Sequence, residues 1–189
     1  MGMTVVGVKR HLLTTRETIL IFTAVLIPVQ LWMFYNLLMA FPAYRVRLLL
    51  WDLVGVIAYT QAFVLFESLL VFAGLAALMM VAPLKWRGDR FIAGLSMLIF
   101  TASFWSILIH LKYDTVIEWG VRQIGVWLLI ILATGVVLVW ATVRNARMTD
   151  AVIAFLDRAT VLTALYLGIN VLCVMIVGLR NIIVIGKFY

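Results

Sequence analysis

Five stretches of this chain are apolar over enough length to cross a bilayer, and no other feature limits the fold as strongly. A transmembrane helix needs about 20 mostly apolar residues. Runs at about 18–40, 51–82, 91–111, 119–143 and 159–179 meet that requirement. In hydrocarbon each backbone N–H and C=O must find its partner inside the protein, so runs of this kind become helices. The expected fold is all-α: a polytopic membrane protein with five transmembrane helices and a single integral membrane domain over residues 1–189. Composition points the same way. Hydrophobic residues make up 66% and charged residues only 12%, where a soluble domain carries about 25% charged. A water-soluble globule, a disordered chain and a nucleic-acid-binding domain are excluded.

Some runs exceed what a bilayer needs. The second has roughly 32 residues, or about 48 Å as a helix, so it must tilt or project. The fifth has an early start available at Met148-Thr149-Asp150, with Thr149 as an N-cap. The first run carries Pro28 and Gln30 and is too long for a cleaved signal core, so it reads as a retained anchor. Neither an internal repeat nor two equal inverted halves can be found, which argues against a common transporter plan.

Direction follows from the basic residues of short loops. One side collects Lys9, Arg10 and Arg16, then Lys85, Arg87 and Arg90, then Arg144, Arg147 and Arg158. The other collects Arg45 and Arg47, Lys112 and Arg122, and Arg180 and Lys187. Nine against six places the N-terminus inside and the C-terminus outside. A bacterial plasma membrane is the expected location.

Glu67 is the most informative side chain. No charge occurs for 14 residues before it or 17 after it. A carboxylate at bilayer depth costs about 3 kcal/mol or more unless it is paired or protonated. Tyr59, Phe63 and Glu67 share a helix face at i, i+4, i+8 spacing. Two readings follow: a relay or substrate-gripping carboxylate, or a neutral carboxyl bonded to Gln30, Asn36 or Asn170 on another helix. Tilt that brings Glu67 nearer an interface is a further possibility. Thr163 and Asn170, seven apart with Tyr166 between them, suit interhelical hydrogen bonding or the wall of a pocket.

His110 precedes Asp114 and Glu118 at i+4 and i+8, a spacing that holds a metal only if the helix continues. As a lone imidazole it could also ligate a pigment. A bis-histidine haem would need His11, which falls on the opposite side. Cys173 is the single cysteine and sits in an apolar run, so no internal disulfide forms. The basic loops with Lys85, Arg87 and Arg90, and with Arg144 and Arg147, fit anionic headgroups. No Walker loop, dinucleotide fingerprint, hydrolase elbow or zinc-protease helix is present.

Five spans in this length, together with Leu156-Asp157-Arg158, Leu165-Tyr166-Leu167 and Leu179-Arg180-Asn181, resemble the membrane domain of sulfatase-like phosphoglycerol transferases of the lipoteichoic-acid-synthase type. In that family an external catalytic domain follows, at the point where this sequence ends. The resemblance therefore implies a membrane module without the catalysis, and no catalytic residue carries over. The expected function is a non-catalytic membrane subunit that anchors or scaffolds a larger complex, with other integral membrane proteins and anionic lipids as partners. A small transporter or lipid-handling protein built on Glu67 is the first alternative. A pigment- or haem-binding subunit is the second. No cofactor is expected beyond bound lipid.

Overall fold

A computed structural model of the chain describes residues 14–81 and 88–185. All regular structure among them is helical: α1 (Thr15–Arg47), α2 (Leu50–Val81), α3 (Asp89–Leu111), the short α4 (Tyr113–Ile117), α5 (Val121–Arg144) and α6 (Ala146–Ile185). Five of these helices are long and apolar enough to cross a membrane. Over the described residues the chain is thus an all-helical, multi-pass membrane protein.

Three ends differ from the sequence expectation, one of them that of the last helix, which runs on past 179 to Ile185. α1 runs on through Pro42 to Arg47, because Pro42 falls near the end of a helix already propagated for several turns. α6 begins at once after α5, and Thr149 is not its cap. Asn145 takes that role, its Oδ1 accepting from the Arg147 N–H at 3.0 Å. Thr149 is buried one turn further on, where its hydroxyl donates to the Thr142 carbonyl across the turn at 2.8 Å. At the other end of the chain, α1 opens with a capping box. Thr14 Oγ1 accepts from the Glu17 N–H at 3.3 Å, and Glu17 Oε2 accepts from the Thr14 N–H at 2.8 Å.

Helices α1 and α6 lie side by side and run parallel. α2 packs on both of them from one side; α3 packs on both from the other, and α5 covers α3. α2 and α3 barely touch each other. Arg16 marks one end of the bundle, bonding Asp89 of α3 at 2.9 Å and Asp157 of α6 at 3.4 Å. Arg180 marks the other. Its guanidinium donates to Asp52 at 2.7 Å and to the Trp51 carbonyl at 2.9 Å. It lies across Gly55, where even a Cβ would collide with it.

The Arg16 end is a close-packed apolar core. Leu20, Ile21 and Ala24 of α1 meet Met79 of α2, Ile92 and Ala93 of α3, and Leu156 of α6. Gly94 lets α5 approach α3, since a Cβ there would lie 2.8 Å from Val143 Cγ2.

Polar side chains sit inside the α1–α2–α6 contact at one-heptad spacing. Thr163 donates to Thr23 at 3.0 Å, which sets α6 in register with α1. Seven residues on, Gln30 and Asn170 stand level, about 10 Å further along the axis. Gln30 Nε2 donates to Gln61 Oε1 at 2.9 Å. Ser68, seven residues from Gln61 on the antiparallel α2, falls back to the Thr23 level. All six are buried. In a membrane, apolar burial gives little reason for one helix to prefer another, so such bonds select partner and register.

Two outcomes test this packing. Gln30→Leu should lower stability by about 1 kcal/mol by stranding Gln61, and the Gln30→Leu, Gln61→Leu double variant should recover much of it. Gly94→Leu should cost about 1–3 kcal/mol through overpacking against Val143. Unfolding in mixed micelles measures both.

Candidate lipid-facing groove

Because α2 and α3 splay apart in front of α1, a groove of about 550 Å³ opens between the three helices. Its floor is Pro28, Val29 and Trp32 of α1. Proline at 28 supplies no N–H, so the Ala24 carbonyl lacks its helical partner there. One wall is a single stripe of α2, with Leu75, Val71 and Glu67 at i, i+4, i+8. The other is α3, from Leu98 and Ile99 through Ser103 and Ser106 to His110.

The groove is amphipathic along its length. Leu75 and Ile99 pack against the apolar core, which closes the Arg16 end. α2 and α3 run in opposite directions, so Glu67 stands level with the Ser106 turn of α3. Glu67, Ser103, Ser106 and His110 therefore gather at the far end. Trp32 joins them, its ring 5.0 Å from the His110 ring at 80° and stacked on Tyr35 at 5.4 Å. From Leu98 to His110 the groove is about 18 Å long at 1.5 Å per residue. Half of a hydrocarbon core is about 15 Å.

Among the described residues Glu67 does not hydrogen-bond to another helix. The expected donors are engaged elsewhere or out of position. Gln30 pairs with Gln61. Asn170 is fully enclosed, and neither its Nδ2 nor its Oδ1 has a partner among the described residues. Asn36 lies across a second hollow of about 460 Å³, between α1 and α2, that Glu67 also lines. Tyr59 borders this hollow too, with its hydroxyl donating to Asn181 Oδ1 at 2.6 Å. Glu67 is exposed at the protein surface and makes no hydrogen bond or ion pair among the described residues. The reason is positional: the α2 stripe that carries it faces the gap left by α3.

Other candidate residues are dispersed. His110 is the penultimate residue of α3, and a break at Lys112 separates it from Asp114 on α4 and Glu118 beyond it. The i, i+4, i+8 face is interrupted, and no metal-holding group of three His, Cys, Asp or Glu occurs among the described residues. Arg90, Arg144 and Arg147 are exposed at the Arg16 end, with the Arg144 guanidinium 5.0 Å from the Trp140 ring. Lys85, Arg87 and His11 lie outside the described residues. Cys173 is buried.

Sequence reasoning overlooked Gln61, Trp32, Ser103 and Ser106. A signal existed for the serines, since 103, 106 and 110 share a helix face at i, i+3, i+7. Trp32 gave none, because aromatic residues are common throughout the apolar runs.

In comparisons with known proteins, no family model, no curated protein and no solved structure matches the chain.

The groove predicts a contrast in reactivity. In a Cys173→Ser background, Ser103→Cys should react several-fold faster with a lipid-soluble maleimide than Ser96→Cys. Ser103 lines the groove, whereas Ser96 is fully buried seven residues away on α3.

Proposed function

We propose that this is a lipid-handling membrane protein that takes one amphiphile from a single leaflet into the α1–α2–α3 groove. The observation that carries this reading is the polarity of the groove along its axis. Its apolar end is closed and its polar end reaches the last turn of α3, over about the depth of one leaflet. An acyl chain fits the stretch from Leu98 to Ala102, and a polar head fits Glu67, Ser106 and His110. The packed core at the Arg16 end blocks a continuous path, which favours binding and presentation over conduction.

The Lys and Arg balance supports a cytoplasmic Arg16 end in a bacterial plasma membrane, so the groove serves the outer leaflet. Ala102→Trp should fill the groove and strongly reduce the lipid that copurifies with the protein. Retention of the wild-type lipid complement by this variant would count against the reading. For orientation, Arg90→Cys should label from the cytoplasmic face and Glu118→Cys from outside, each in the Cys173→Ser background. Labelling of position 90 only from outside would invert the assignment.

A second reading is favoured by one observation of its own. α5 has only 6% of its most apolar stretch buried within the protein. At one end of it, Trp127 stacks on Trp119 at 5.2 Å and meets Trp105 edge-on at 5.6 Å. That helix could pack against another integral membrane protein, as a non-catalytic subunit would require. Crosslinking from α5 in native membranes to a protein neighbour, with no loss in Ala102→Trp, would support this alternative.

A further inference from the structure

Glu67 is shared between two cavities. On one side lies the chain-sized groove; on the other, the hollow between α1 and α2. Trp32 is also common to both. The hollow brings three aromatic residues, Trp32, Tyr59 and Phe63, together with this carboxylate. Among the described residues no lysine or arginine lines either cavity. Glu67 has no ion-pair partner among the described residues, although basic side chains elsewhere do find carboxylates: Arg16 has two and Arg180 has one.

These facts select the charge of a head group. An ionised carboxylate beside hydrocarbon needs a counter-cation. Among the described residues no lysine or arginine stands at this site, and His110 is the basic side chain that shares the groove. An anionic head such as a phosphate or sulfate would stand against Glu67 with no lysine or arginine to offset it. Aromatic rings add the complementary preference, since their faces attract ammonium groups, and most strongly where water is excluded. From these we infer that the Glu67 end of the groove recognises the ammonium head of a single-chain cationic amphiphile. The inference rests on the lipid-handling reading above and names the ligand class for the same site. The alkyl chain runs along Val71 and Ala102 toward Leu75. The ammonium sits at Glu67, against the aromatic wall of the neighbouring hollow.

The test uses the full chain in a neutral maltoside detergent. Three probes share a tetradecyl chain and differ in the head: trimethylammonium, sulfate or hydroxyl. Native mass spectrometry counts bound probe for the wild type, Glu67→Gln, Phe63→Leu and Ala102→Trp. The trimethylammonium probe should bind the wild type about ten-fold or more tightly than the others, as expected for a charge pair in a poorly solvated site. Glu67→Gln should erase that preference, bringing the trimethylammonium probe down to the level of the hydroxyl probe. Phe63→Leu should reduce it in part, which guards against a folding defect in the Glu67 variant. Equal binding of all three heads, lost together in Ala102→Trp, would overturn the ammonium assignment and leave the groove reading standing. Failure of every probe to bind, with Ala102→Trp indistinguishable from wild type, would remove both.

Discussion

The hydrogen bonds buried between α1, α2 and α6 are the constraint on which the rest of the structure depends. Lipid tails are as apolar as leucine, so apolar surface alone does not tell one helix which neighbour to take. The Thr163–Thr23 and Gln30–Gln61 pairs do, at 3.0 Å and 2.9 Å. A one-residue slip of α6 would turn Thr163 and Asn170 toward hydrocarbon, at the cost of exposing polar groups where water is absent. With α2 held on α1 and α6 from one side, α3 can reach them only from the other. The separation of α2 from α3 follows.

From that separation comes a concave feature with mixed chemistry. The groove has no dedicated machinery. It is what remains when two consecutive helices pack against a third without packing against each other. Its polarity comes from register. Running α2 and α3 in opposite directions brings Leu75 to the apolar core and Glu67 to the Ser106–His110 end. Both ends of the bundle are pinned by arginine: Arg16 ties α1 to α3 and α6, and Arg180 ties α6 to α2. These are partly exposed pairs, so their individual contribution is small. Their geometric effect is to fix which helices meet at each rim. Arg180 is thereby occupied within the chain.

Much of the fold was legible because its cause is local. Twenty apolar residues in a bilayer have to be helical whatever their neighbours are. The five spans accordingly fall where hydropathy places them, with the main differences at the end of α1 and at both ends of α6. Glu67 stood out for the same reason, as a lone charge inside an apolar run. What its side chain faces was not legible. Gln30, Asn36 and Asn170 were reasonable partners on chemistry, and the first is already taken by Gln61, a residue 31 positions away.

The sequence by itself determined the membrane class, the number of spans and the isolation of Glu67, since each depends on composition within one helix. Tertiary structure alone decided the helix neighbours, the gap between α2 and α3, and the meeting of Glu67 with Trp32, Ser106 and His110. The physical reason is that apolar helix faces are nearly interchangeable in lipid. Their choice of partner rests on a few polar contacts and on close approaches such as that at Gly94. Periodicity in one helix reports which residues share a face, and only packing decides what that face meets.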